Sequence, residues 1–462
     1  MAGQSYEQFA TAYDAGRAQI VFRRVVADLE TPIGAYLKLA EGRHNTFLLE
    51  SVQDGAIVGR YSMIGYDPDI ILKVERGKAA INRDARLRPD AFVPLAEPPL
   101  AALRALVAES RVDVPEGLPA TAAGIYGYLG YDMVRLMEEL PDANPDDLGL
   151  PEAILSRPSV LAIFDTLKDE LYLTAPVYVR AGTTARQAWE AAQGRIDDAT
   201  ARLARTLPYG SALPDLTGIA VTSNTSTAEY AAMVDAAKEY IRAGDIFQVV
   251  LSQRFEARFD LPPTALYRAL RRTNPSPYMY MLDFGDFAVA GSSPEILVKV
   301  EKGRITIRPI AGTRKRGATP TRDKELADEL LSDPKELAEH LMLLDLGRND
   351  VGRVAKIGTV KVTDKFFLEY YSHVMHIVSN VIGELDPAND FVDALAAGFP
   401  AGTVSGAPKV RAMEIIDELE KSRRGIYGGC VGYFGADGTM DTCIVLRTAI
   451  IKDNTLYVQA GA

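Results

Sequence analysis

The chain has 462 residues, 51 Lys and Arg against 62 Asp and Glu for a formal net charge of -11, 47% hydrophobic residues and two cysteines. That length predicts two to three domains, and the acidic balance argues against a general nucleic-acid binder or a protein of anionic membrane surfaces. Cys430 and Cys443 make no disulfide framework, no apolar run reaches membrane-spanning length, and no signal peptide is seen, so a soluble cytoplasmic protein is expected.

In chain order, a polar helix is expected from about Ser5, a strand over 20–26, and a helix from Thr31-Pro32 through 40. Thr46 to Val52 reads as a short apolar strand carrying Glu50 and Ser51 at its end. After Gly59-Arg60-Tyr61-Ser62, strands are expected near 70–75 and 79–82, then a helix over 98–109 and the aromatic and glycine run Gly124 to Tyr131. A hairpin over 159–164 and 170–175 and an alanine-rich helix over 183–205 close the first half. Leu207 to Asn224 is rich in Pro, Gly, Ser and Thr. It is read as a junction over 208–224 between an N-terminal domain, 1–207, and a C-terminal domain, 225–462.

Ser226-x-x-Glu229 makes a capping box for a helix over 227–243 that stops at Gly244. Next are a strand over 246–256, the loop Asn274-Pro275-Ser276-Pro277, and strands over 278–284, 286–291, 296–301 and 304–308. Helices over about 321–332 and 334–346 precede strands over 375–384, 426–434, 440–451 and 455–460. Strands arriving in runs between helix pairs predict an α+β fold of large, mostly antiparallel sheets with helices packed on them.

Gly402-Thr403-Val404-Ser405-Gly406-Ala407-Pro408-Lys409 feeds a helix on which Val410, Met413, Ile416 and Leu419 recur at helical spacing. With Pro408 in its first turn and Lys409 and Arg411 adding charge, the loop reads as a small-anion site or as a plain tight connection. Asp333-Pro334-Lys335-Glu336 opens another helix, with Glu336 in the capping position. There Leu337, Leu341 and Leu344 form the expected apolar stripe, and Glu339 projects between Met342 and Leu343. An enclosed carboxylate needs a partner, either magnesium or a basic side chain. Of four histidines, His340, His373 and His376 lie in the second half. His376, opening an apolar strand, is either an acid/base group or a hydrogen-bonded structural residue. Gly428-Gly429-Cys430-Val431-Gly432 is similar to the turn around an amidotransferase nucleophile. Tyr433-Phe434 continue a strand, however, so Cys430 is not expected to be one. Arg447 ends an apolar run and needs a carboxylate from a ligand or from the chain.

Together, Pro309 to Thr313, Glu336 to Met342, Asp345 to Asp350, Gly402 to Arg411, Tyr427-Gly428-Gly429, Asp441 to Arg447 and Val458 to Ala462 resemble the chorismate-utilising enzymes over nearly the whole chain. Within them the pattern is similar to the large subunits of anthranilate synthases. The resemblance implies that family's fold, two interlocked lobes, and a Mg²⁺-dependent lyase chemistry in tryptophan biosynthesis. Chorismate, a dicarboxylate, is aminated by ammonia at the ring and then loses pyruvate. Glu339 and Glu336 are implied as metal ligands. Gly312, Thr313, Tyr427, Arg447, Gly461, Ala462 and Lys409 are implied for substrate binding. His376, Gln248 and Thr403 fall at catalytic positions, His376 as the general acid for the departing ring hydroxyl. Glu50, Ser51, Pro277, Tyr278 and Met279 resemble the family's tryptophan feedback site, which bridges two domains.

Two positions separate the branches. Isochorismate and salicylate synthases carry a water-activating lysine where this chain has Gln248. Aminodeoxychorismate synthases often carry a nucleophilic lysine where it has Ala311. Both replacements favour anthranilate, with an aminodeoxychorismate synthase-like enzyme as the alternative. No glutaminase is visible, which implies a separate glutamine amidotransferase subunit supplying ammonia, and hence a hetero-oligomer. The family continues past Ala462 with a loop and a helix whose Glu residues complete the magnesium site. A truncated, catalytically silent chain that binds tryptophan and a partner is therefore the reading from another class.

Overall fold

The computed structural model describes residues 5–51, 59–207, 218–371 and 373–462. Most of the expected junction, 208–217, and Val52 of the second expected strand lie outside them. Twenty-one strands join one hydrogen-bonded network with antiparallel pairing among the described residues, and helices pack on it, as the α+β expectation has it. Short turns explain the antiparallel habit. Arg76-Gly77, Lys302-Gly303 and Asp453-Asn454 each place two positive-φ residues between paired strand ends, the geometry that matches strand twist.

The halves of the chain interlock through their strands. Thr46–Glu50 pairs with Tyr278–Asp283, setting Met279 opposite Glu50, and Gly124–Leu129 pairs with Cys430–Gly435. Two apolar cores likewise mix residues from both halves, one with Leu72 and Leu155 beside Val298 and Ile444, another with Phe47 and Tyr126 beside Val431 and Ile450. Close approach dictates the glycines here: a Cβ on Gly429 would stand 2.2 Å from the Leu129 carbonyl, and one on Gly432 2.1 Å from that of Asp441. The Gly-rich run around Cys430 is therefore a strand contact.

The helix Thr227–Ala243 has the expected capping box and ends at Gly244. Elsewhere the structure departs from the periodicity. Residues 246–256 split into Gln248–Val249 and Ser252–Arg258, and 440–451 into Met440–Ile444 and Thr448–Lys452. The helix Pro263–Thr273 is absent from the expected elements although it is amphipathic: Tyr267 is buried and Leu266 and Leu270 pack on the same core, and only this short stretch of the helix is apolar. The strand Lys361–Tyr370 is charged, half-exposed and bulged, which hides its period of two. The helix Phe391–Gly398 is apolar almost all round, which hides the period of 3.6. In Pro334–Gly352 the buried stripe is His340, Leu343, Leu344, Gly347, Asp350 and Val351, while Leu341 is 54% exposed. The expected stripe of Leu337, Leu341 and Leu344 is thus rotated, because polar neighbours accommodate His340 and Asp350.

Candidate active site

Ile310–Lys315 runs antiparallel to Val374–Glu384 with a bulge between Ala311 and Thr313. Gly312 sits there at φ +80, and a Cβ would press on Ile377 at 3.0 Å, so the bulge calls for glycine. The bulge turns Thr313 toward His376, with 2.9 Å between Thr313 Oγ1 and His376 Nδ1. Glu336 lies against the same glycine, its Oε2 3.4 Å from the added Cβ position. Three residues on along the helix, Glu339 Oε1 accepts from Gln248 Nε2 at 3.1 Å. Gln248–Val249 forms a two-stranded ladder with Gly406–Ala407, and this ties the Gly402–Lys409 loop into the site. Thr403 in that loop donates to Glu295 Oε2 at 3.1 Å. Glu295 in turn shares its electrostatic surroundings with Arg447, which also acts on His376. The circuit of Gly312, Thr313, His376, Arg447, Glu295, Thr403, Gln248, Glu339 and Glu336 is thereby closed. Tyr427 and Gly461 meet one another beside it, the Tyr427 hydroxyl 2.8 Å from a Cβ on Gly461, and the Ala462 N–H donates to the Leu251 carbonyl at 3.1 Å.

Burial sets the protonation states in this circuit. It pushes the Glu295 carboxyl up to about 8, against hydrogen bonds from Thr403 and the Ile310 backbone and the charge of Arg447. Glu295 therefore holds its proton at neutral pH. Burial, then the charge of Arg447, pushes His376 down to about 4, so its ring is neutral. The Arg447 side chain makes no hydrogen bond or ion pair among the described residues, and its backbone is held at φ +49. Sequence reasoning passed over Glu295, because Ser293-Pro294-Glu295 between two strands reads as a turn. The one available signal was a carboxylate directly before the apolar run Ile296-Leu297-Val298.

Other expected residues go elsewhere. Lys409 is 8% exposed, with its Nζ 2.9 Å from Asp350 Oδ2, and Arg411 pairs with Asp245 and Glu414. Pro408 precedes the helix as its cap at ψ 140 instead of sitting in its first turn. The loop's cations are thus spent within the protein. Lys409→Met should lower stability by about 3–5 kcal/mol, since it strands a buried Asp350, while leaving KM unchanged; a urea melt beside a kinetic assay checks both. His340 is fully buried between Ser379 Oγ and the Ala311 carbonyl, a structural role. Cys430 is a buried strand residue whose thiol burial pushes up to about 12, no nucleophile at neutral pH.

A second cavity of about 420 Å³ is lined by Glu50, Ser51, Pro277, Tyr278 and Met279, joined by Lys299, Tyr433 and Asp441. The Glu50 carboxylate faces inward: it accepts from Tyr267 at 2.5 Å and Arg271 at 3.0 Å, residues of the helix that periodicity missed. Arg308, Glu369 and Tyr371 also line this cavity. Arg308 pairs with Glu369, which accepts from the Tyr371 hydroxyl at 3.0 Å, and the Tyr371 ring packs edge-on against His376 at 5.4 Å. The two sites share a wall.

The fold and this constellation are those of a chorismate-handling protein: the sequence model of the chorismate binding enzyme family matches residues 59–462, and the chain belongs to that family. Its relatives are more specific. It is 58% identical over 458 residues to anthranilate synthase component 1 of Cereibacter sphaeroides, covering 99% of this chain and 92% of that one. It is 47% identical to the Pseudomonas aeruginosa protein of the same name, covering 94% and 88%. Among solved structures, anthranilate synthase component I from Streptococcus pneumoniae matches with a TM-score of 0.77 at 37% identity, over 95% of this chain and 94% of that chain. The menaquinone-specific isochorismate synthase from Escherichia coli, at TM-score 0.69 and 18% identity over 98% and 93%, shares the fold.

Proposed function

We propose that this chain converts chorismate and ammonia to anthranilate and pyruvate, as the large component of an anthranilate synthase. The observation that carries this reading is Gln248. Its Nε2 is committed to Glu339, while its Oε1 is buried without a hydrogen-bond partner among the described residues. A buried orphan acceptor suits an N–H donor such as ammonia, and an amide is no base for activating water. Ala311 offers no nucleophile, so the nitrogen comes from outside the chain.

Arg447, free of any protein carboxylate, takes a carboxylate of chorismate, and the Gly312–Thr313 bulge orients the ring beside it. Glu295, protonated at neutral pH, delivers the proton to the departing ring hydroxyl. Neutral His376, held by Thr313, positions the substrate and carries no ionisable proton of its own near pH 7. This moves the general-acid role from His376, where the resemblance put it, to Glu295.

Glu336 and Glu339 fit Mg²⁺. They stand one helical turn apart and offer only oxygen donors. Arg314 engages Glu336 Oε1 and Gln248 engages Glu339 Oε1, which leaves one oxygen of each. This ion is commonly bound by one or two carboxylates with substrate and water completing its shell. When bound, it neutralises substrate charge and stabilises the leaving oxygen. The second cavity suits tryptophan as a feedback inhibitor, with Glu369 and Tyr371 as the shared wall that conveys its presence to His376. Ammonia is supplied by a separate glutamine amidotransferase subunit, and the two free buried thiols suit a reducing cytoplasm.

Chorismate, Mg²⁺ and ammonium at alkaline pH should yield anthranilate fluorescence that tryptophan suppresses. Isochorismate or a 4-amino product in its place would overturn the reading. So would silence from the whole protein under these conditions.

A further inference from the structure

A third cavity, of about 190 Å³, lies in the N-terminal half and shares no lining residue with the sites described above. It is enclosed by the loop after Lys78–Asn82, the end of Glu170–Val177 and the helix Ala185–Leu203, with Ser159 in its wall. Accounting for its charges leaves a surplus. Of the carboxylates in the lining, Asp69 is saturated by Arg157, at 2.8 and 2.7 Å, and by Arg180 at 2.8 Å. Asp84 pairs with Arg88, and the lining Arg83 pairs with Glu109 outside. Two lining cations, Arg86 and Arg195, then have no ion pair or hydrogen bond among the described residues.

Arg195 is the unusual one. Its Nε is buried with no acceptor; burial, then the like charges of Arg86 and Arg180, lower its pKa to about 10 against the opposing charges of Asp69 and Asp67. Ser159, 7% exposed, also buries its hydroxyl with no partner among the described residues. A buried guanidinium N–H and a buried hydroxyl left unpaired in one cavity are costly unless a ligand satisfies both.

We propose that this cavity binds a phosphate group, as inorganic phosphate or as the terminal group of a small phosphomonoester. Arg195 and Arg86 supply the charge and Ser159 a hydroxyl donor. The volume holds a group of that size, roughly six waters at ~30 Å³ each. A doubly charged tetrahedral anion engages several donors arriving from different elements, whereas a planar carboxylate offers two oxygens to a fork.

The test is calorimetric titration of the whole chain with sodium phosphate, glycerol 3-phosphate and citrate in chloride buffer at matched ionic strength. Saturable one-to-one binding of phosphate, glycerol 3-phosphate or both is expected, the pattern naming the source. Arg86→Met, at an exposed position that should fold normally, should weaken it about tenfold or more, and Arg195→Met should abolish it. Circular dichroism confirms that both variants fold. No saturable binding by either phosphate probe, binding undiminished in Arg86→Met, or tighter binding of citrate would overturn the proposal.

Discussion

Glu295→Gln should lower kcat by about 10²–10⁴-fold with little change in KM, the range a general acid supplies. The amide keeps the volume and still accepts from Thr403, but it has no acidic proton to give. In the parent chain kcat/KM should fall as pH rises through about 8, the value to which burial lifts this carboxyl. The variant's residual activity should lack that limb. Stability supplies an independent sign. Because the folded pKa lies above the unfolded one, the native chain keeps a proton through a window in which the unfolded chain releases it. Its stability therefore declines from about pH 4.5 to about pH 8. Glu295→Gln removes that dependence and should gain stability relative to the parent as pH rises, in denaturant melts at pH 5 and pH 8. A purely structural Glu295 would show the stability effect with no change in kcat.

Arg447→Met should raise KM for chorismate by about 10–100-fold, the worth of one charge-assisted pair, while stability shifts by no more than about 0.5 kcal/mol. The asymmetry follows from the side chain's having no partner among the described residues: its removal strands no buried carboxylate. Holding a non-glycine residue at φ +49 costs free energy, and such strain persists where the surroundings over-determine it. Arg447→Lys keeps the charge without the fork and should recover only part of the affinity. Steady-state kinetics with a thermal melt separates this from a structural role, in which the melting temperature would fall and KM would not move.

Much of the candidate site was legible because its residues sit in contiguous stretches that the fold brings together. Glu336 and Glu339 share a helix face, Gly312-Thr313 lie in one bulge, and Gly402 to Lys409 is one loop. Local spacing and the family resemblance find such groups. Lys409 shows the limit of that reading. A lysine at a loop-to-helix start looks like an anion ligand until Asp350, 59 residues away in the chain, is found 2.9 Å from its ammonium.

By itself, then, the sequence determined the caps at Ser226 and Asp333 and the antiparallel α+β class, because each rests on the conformational limits of neighbouring residues, and with the family resemblance it marked the branch positions Gln248 and Ala311. Only the tertiary structure decided which charges are free. Burial and long-range pairing commit Lys409 to Asp350 and Glu50 to Arg271, and they leave Arg447 and Arg195 without partners among the described residues. They also hold a proton on Glu295. A pKa and a vacant hydrogen bond belong to the surroundings of a side chain, and those surroundings are assembled from residues hundreds of positions apart.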